Sequence, residues 1–283
     1  MRHGIAVKME TNLELLAAKH YENFPVASIF VPKRQRKALR LIYAFARAAD
    51  DFADEGDAPA EERLERIDRW EHALHDALAG KETSSFFQSL ARVIQDVKIP
   101  VKLFEDLLTA FRMDARGPHF ASFGDLIFYC RHSANPVGRI VLHLFGSATE
   151  QHCLWSDDIC TALQLANFWQ DISVDIQKKR VYIPDEDFKR FGSSRERMFN
   201  GMTDEQFRTV VKFEVERTKQ LFVKGLPLLQ SVDTKLRFQL KLTWHGGMRV
   251  LEKIGQHNFE TFHRRLTMNL FDTALIFLRS LVQ

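Results

Sequence analysis

Apolar residues recur at three- and four-residue intervals through most of the chain, the spacing that lays an apolar stripe along an α-helix. The pattern is clearest where Ala38, Leu41, Ile42, Phe45, Ala48, Ala49 and Phe52 share one face, which predicts a helix over residues 33–55, ended by Gly56-Asp-Ala-Pro59. A charged helix follows over 60–79 with Leu64, Ile67, Leu74 and Leu78 inward, then helical spacing over 84–96 and 101–113, with Pro100 and Gly117-Pro118 as punctuation. A helix opens at 123–130, is interrupted across Ser133-Ala-Asn-Pro136-Val-Gly138 and resumes over 140–145. Asn-Pro and Gly inside an apolar run read as a kink, demanded either by packing or by a cavity beside it. Further helices are expected over 157–175, 203–229, 233–255 and 261–281. Near the start, 11–20 is a short amphipathic run, and Pro25 and Pro32 argue against a continuous helix beyond it. No strand-rich block, linker or regular repeat intervenes, so the expectation is an all-α helical bundle forming a single domain over 1–283, with 1–10 disordered.

Composition narrows this picture modestly. With 45% hydrophobic residues in 283, a sizeable buried core is within reach. The 24 Phe against 4 Tyr and 4 Trp fit a Phe-rich core or, more specifically, a long apolar pocket lined in part by phenylalanine. A formal net charge of +3, scattered along the chain, suits attraction of a diphosphate or an anionic surface and points to no nucleic-acid partner. Cys130, Cys153 and Cys160 are odd in number and form no C-x-x-C pair, which suggests a reducing, cytoplasmic setting. The first ten residues lack the apolar core of a signal peptide, and no stretch is apolar for long enough to cross a bilayer. Peripheral contact at the inner face of a membrane stays open, although no lipid anchor or basic amphipathic helix stands out.

The chemistry concentrates in two acidic clusters. Asn167, Asp171 and Asp175 recur every fourth residue, which on a helix stacks three oxygen donors on one face. Asp50-Asp51-Phe-Ala-Asp54-Glu55 repeats that geometry upstream. Carboxylates four apart are ordinarily a solvated helix face. Here both clusters are interleaved with packing residues, Ala48, Ala49, Phe52 and Ala53 in one and Phe168, Trp169 and Ile172 in the other, and like charges set beside apolar groups are costly unless neutralised. Mg²⁺, a hard cation that shares its shell with waters and phosphates, would neutralise them. Arg47 by the first cluster and Lys178, Lys179, Arg180 and Tyr182 after the second could grip phosphate oxygens, with surface salt bridging as the plainer role of each. No zinc-type His pattern, P-loop or G-x-G-x-x-G is present. The residues therefore point to a Mg²⁺-dependent, diphosphate-handling enzyme.

These motifs resemble those of the trans head-to-head prenyl synthases, the squalene, dehydrosqualene and phytoene synthases. The resemblance runs from His20-Tyr-Glu-Asn-Phe24 to Arg265. It rests on Tyr43-Ala-Phe-Ala-Arg47-Ala-Ala-Asp50-Asp51-Phe-Ala-Asp54 and on Gln164-Leu-Ala-Asn167-Phe-Trp-Gln170-Asp171-Ile-Ser-Val-Asp175, followed by Arg180-Val-Tyr182-Ile-Pro184. It implies the isoprenoid synthase fold, a central apolar cavity capped by two Asp-rich helices. By position it implies Asp50, Asp54, Asn167, Asp171 and Asp175 as catalytic Mg²⁺ ligands, with His20, Tyr43, Arg47, Tyr182 and Arg265 on the diphosphate. Phe24, Gln164, Gln170 and Arg180 complete the substrate-facing set, Phe24 or Trp169 offering an aromatic face to a cation. Three departures are informative, one being Trp244-His245-Gly246-Gly247 where the family usually has a Tyr near the penultimate helix. Condensing members commonly carry Arg where Gln170 stands, and often Ala-Gly-x-Val-Gly where this chain has Ala134-Asn135-Pro136-Val137-Gly138. These features look most like the hydroxysqualene synthase branch of bacterial hopanoid synthesis, which takes presqualene diphosphate and quenches the rearranged cation with water. The alternatives are a squalene, dehydrosqualene or phytoene synthase condensing two prenyl diphosphates, and a non-catalytic helical assembly partner. An oily product makes hand-off to a pathway enzyme plausible.

Overall fold

The computed structural model describes residues 33–54, 56, 58–81 and 83–282, so the 11–20 run, His20 and Phe24 lie outside the described residues. Helices and connecting turns account for the described residues, with no strand among them. The described residues divide into two compact units, one of those up to 116 together with 139–148, the other of 117–138 together with those from 149 on.

In the first unit, α1 (Lys33–Asp54), α2 (Ala60–Leu78), α3 (Ser85–Val97) and α4 (Lys102–Arg116) pack on one another. The 3.6-residue pattern of α1 explains its burial: Phe45, Ala49 and Ala53 are inaccessible to solvent while Arg47, Asp50 and Asp54 keep partial access. Phe45, Trp70, Phe86, Phe87 and Phe104 form the aromatic centre, with Trp70 stacked 5.8 Å from Phe45 and donating its indole N–H to the Phe45 carbonyl at 3.2 Å. This is where part of the phenylalanine excess resides. Ile140 and Leu144 join the same core.

The second unit is built around α7 (Glu150–Gln170), against which α5 (Phe123–Ser133), α11 (Glu205–Gly225), α12 (Leu228–Ser231) and α13 (Thr234–Gln256) pack. α6 (Asn135–Leu144) begins in this unit, α14 (Leu270–Val282) lies on α13, and the short α8 (Ile172–Asp175), α9 (Asp185–Arg190) and α10 (Arg195–Phe199) lie between α7 and α11 in sequence. A Cβ at Gly225 would fall 2.5 Å from Ile159 Cγ1 and 2.7 Å from the Trp155 carbonyl, so only glycine allows α11 to close on α7 there. Gly138 meets α7 the same way, 2.4 Å from Ser156 Oγ and 2.5 Å from Cys160 Sγ.

Four boundaries depart from the sequence expectation. The interruption near Asn135-Pro136 narrows to Ala134 alone, because Pro136 sits in the first turn of α6, where its missing N–H has no partner to lose. The helix expected over 157–175 starts at Glu150, with Thr149 Oγ1 accepting from the His152 amide at 3.1 Å, and stops at Gln170. The segment expected as one helix over 203–229 ends at Gly225, ahead of Pro227. The last helix starts at Leu270, not near 261: Asn269 caps it, its Oδ1 accepting from the Asp272 amide and its own amide donating to Asp272 Oδ2, both at 2.9 Å.

Candidate active site

The first acidic cluster ends α1. Tyr43, Arg47, Asp50 and Asp54 follow one another at three- or four-residue steps, all of them half-buried. Arg47 bridges two carboxylates, Nη1 to Asp50 Oδ2 at 2.9 Å and Nη2 to Asp51 Oδ1 at 2.7 Å. Burial pushes the Tyr43 phenol above its ordinary pKa, with Arg47 pulling down and Asp50 and Asp51 pushing up. A residue that sequence reasoning missed holds this helix end in place. Arg63, in the first turn of α2, donates to the carbonyls of Ala53 at 2.5 Å, Gly56 at 2.6 Å and Ala58 at 2.9 Å. A cation on the C-terminal carbonyls caps the helix and meets the negative end of its dipole. Its signal was weak: an Arg four residues beyond the Pro that stops the loop.

The second cluster straddles the end of α7. Asp171 leaves helical geometry (φ −99°, ψ 10°), yet the ladder continues through it, since the Asp171 amide donates to the Asn167 carbonyl and the Asp175 amide to the Asp171 carbonyl, each at 2.9 Å. The four-residue stacking of Asn167, Asp171 and Asp175 therefore survives a break that the spacing did not foretell. After the 3-10 turn Ile176–Lys178, Lys179 takes a left-handed φ of 57° and reverses the chain, so that the Arg180 amide donates to the Asp175 carbonyl at 2.9 Å. That reversal brings the basic loop beside the carboxylates, where sequence reasoning put it.

Burial, then the charge of Asp171, raises the Asp175 carboxyl to about 6, against the pull of Arg180, Lys178 and Arg265. Tyr182 is buried and its ring lies flat on Phe168, centroids 3.6 Å apart at 6°. A small cavity opens here, walled by Phe168, Trp169, Ile172, Tyr182 and Met198, with Asp175 and Arg180 as its ionisable lining. Trp169 is fixed by a buried 2.8 Å bond from its indole N–H to Thr218 Oγ1, whose own hydroxyl donates to the Glu214 carbonyl at 2.7 Å.

Arg265 arrives from the irregular segment before α14 and grips Asp171 through Nε to Oδ1 at 2.7 Å and Nη2 to Oδ2 at 3.0 Å. Gln170 donates its side-chain amide to the Leu266 carbonyl. Gln164, half-buried, stands one turn before the exposed Asn167 on α7. Among the expected residues, the second unit thus brings together Gln170, Asp171, Asp175, Arg180, Tyr182 and Arg265, and the first unit Tyr43, Arg47, Asp50 and Asp54.

Two carboxylates and a carboxamide stacked on one face are the hard oxygen donors that suit Mg²⁺, and the burial and neighbouring charge that lift Asp175 are costs that a cation would offset. Among the described residues no cluster of three His, Cys, Asp or Glu side chains that could hold a metal ion forms.

The helical architecture is the isoprenoid synthase fold of the squalene synthase type. The crystal structure of squalene synthase HpnC from Alicyclobacillus acidocaldarius matches 90% of this chain and 97% of its own at a TM-score of 0.83 and 36% identity. A dehydrosqualene synthase solved with ligand shares the fold at a TM-score of 0.82 and 21% identity, over 98% of this chain and 96% of its own. The squalene/phytoene synthase sequence model matches residues 17–272, and the chain belongs to that family. Among its relatives are the hydroxysqualene synthase of Sinorhizobium fredii, 35% identical over 80% of this chain and 77% of that protein, and that of Rhodopseudomonas palustris, 33% identical over 83% and 80%. The 15-cis-phytoene synthase of Synechocystis sp. is 25% identical over 88% of this chain and 77% of its own.

Proposed function

We propose that this member of the squalene/phytoene synthase family, whose enzymes act on prenyl diphosphates, converts presqualene diphosphate to hydroxysqualene. The observation that carries the reading is the identity of 33–35% to two hydroxysqualene synthases, against 25% for the phytoene synthase. Position 170 supports it: a neutral Gln donates to a backbone carbonyl there instead of offering a cation to a second diphosphate.

In this reading Asp50 and Asp54 in the first unit, and Asn167, Asp171 and Asp175 in the second, would hold Mg²⁺. When bound, Mg²⁺ would supply positive charge to diphosphate oxygens. Arg180 and Arg265 in the second unit, and Arg47 in the first, would offer guanidinium donors to diphosphate as the carbon–oxygen bond breaks. The Phe168–Tyr182 stack and Trp169 line the small cavity beside Asp175 and Arg180, and their aromatic rings would stabilise the cation left behind. Trp169 is held in one orientation by Thr218, so that face is set before substrate arrives. Water then forms the new carbon–oxygen bond and gives up one proton, the released diphosphate being the available base.

Incubation of the purified protein with Mg²⁺ and presqualene diphosphate, without NADPH, tests the reading by mass spectrometry of the extract. A C30 alcohol is expected. Conversion of farnesyl diphosphate to presqualene diphosphate or to a C30 hydrocarbon would overturn it in favour of a condensing synthase, the activity named for the A. acidocaldarius structure.

A further inference from the structure

Asp171 and Arg265 stand 94 residues apart in sequence and meet through two charge-assisted bonds, so both oxygens with which Asp171 would hold a cation accept from one guanidinium. The segment carrying Arg265 is fastened on either side. Before it, Glu260 Oε1 accepts from the amides of Phe262 at 3.0 Å and His263 at 3.2 Å, and His263 Nε2 lies 3.0 Å from Thr203 Oγ1. After it, Leu266 is buried, its carbonyl accepts from Gln170, and Lys253 Nζ donates to the Thr267 carbonyl at 2.7 Å. Gln170 directly precedes Asp171, so the fastening and the ion pair spring from adjacent residues of the motif.

We propose that Arg265 is an exchangeable counter-ion of Asp171: it neutralises the carboxylate until a divalent cation takes its place, and then turns its guanidinium to the diphosphate. Gln170 is the positioning residue that keeps Arg265 within reach of both. The inference rests on the metal and diphosphate reading above. Its physical basis is competition. The guanidinium takes one lone pair of each Asp171 oxygen and sets a positive charge beside any metal ion that would use the others, so the two cations weaken each other's hold on one carboxylate. Arg265 is 51% exposed, so the pair is screened and cheap to open. The freed guanidinium regains a partner when a diphosphate is present, since its fork matches phosphate oxygens. Metal and diphosphate then favour each other's binding, a coupling that is reciprocal.

The test is Mn²⁺ titration of the full chain followed by electron paramagnetic resonance, and calorimetric titration of inorganic diphosphate at saturating Mg²⁺. With no diphosphate, Arg265→Gln is expected to bind Mn²⁺ roughly fivefold more tightly than the wild type, and to bind diphosphate more weakly. Gln170→Leu should shift Mn²⁺ binding in the same direction, and the double variant should gain nothing beyond Arg265→Gln alone. Unchanged or weaker Mn²⁺ binding by Arg265→Gln overturns the exchange, and additive effects of the two substitutions overturn the role of Gln170. Asp171→Asn separates this failure from that of the underlying reading: wild-type Mn²⁺ affinity in that variant means that the metal assignment itself is wrong, and the exchange falls with it.

Discussion

Asp171 accepts from Arg265, and its charge adds to the rise of the neighbouring Asp175 carboxyl. Its replacement by Ala removes one donor and leaves Arg265 unpaired at the surface, a change confined to the mouth of the site. Turnover is expected to fall at least about a hundredfold, with far-UV circular dichroism unchanged; retained activity would remove Asp171 from the metal set. Thr218 tests a different dependence, because its hydroxyl both accepts from Trp169 and donates to Glu214 in a site closed to solvent. Thr218→Val keeps the shape but orphans the indole N–H, at a cost of about 1–3 kcal/mol. Urea denaturation should show that loss, and an equal midpoint would mean that the bond adds no net stability.

Along α11, Glu214 is fully buried, bonded to Arg217 at 2.7 and 2.8 Å; the same guanidinium reaches Asp187 at 2.7 Å and lies over the Phe123 ring at 3.4 Å. Burial raises the Glu214 carboxyl to about 8 against the pull of Arg217, with Asp187 adding to the rise. The folded chain therefore keeps a proton that the unfolded chain sheds near the ordinary value of 4.5. The associated stability is complete below that value and is lost as pH rises through about 8. Glu214→Gln cannot ionise, so between pH 5 and 9 the wild type should lose more stability than the variant, by on the order of 1 kcal/mol or more. Denaturant midpoints across that range check it, and parallel profiles would refute it. The helices themselves were legible wherever an apolar stripe ran for several turns: α1 was expected over 33–55 and spans Lys33–Asp54. The five-residue α10 and six-residue α9 were not foreseen, being too short to carry a period. The break at Asp171 and the late start of α14 were hidden too, because the partners made there, Arg265 for Asp171 and the Leu266 carbonyl for Gln170, lie nearly a hundred residues away in sequence. Of the site, the oxygen stripes and the basic loop could be read from spacing, whereas Arg63 and Thr218 act through partners that no local pattern announces.

The two compact units are threaded through one another in sequence, the chain passing between them at 116/117, 138/139 and 148/149. We propose on this ground that they unfold together as the single domain expected from the sequence. Calorimetry should show one transition, and two resolved transitions would make them separate domains. Among the described residues no helix is long and apolar enough to cross a membrane. The threading also orders events at the ribosome. Ile140 and Leu144 belong to the same buried core as Phe45 and Phe104, so that core lacks two of its side chains while residues 1–116 emerge. Residues 117–138, which belong to the other unit, must leave the exit tunnel before 139–148 can fill the gap. Completion of the first core during synthesis is thereby deferred past the arrival of α5, and a ribosome paused between codons 117 and 138 would display a nascent chain whose first core still lacks Ile140 and Leu144.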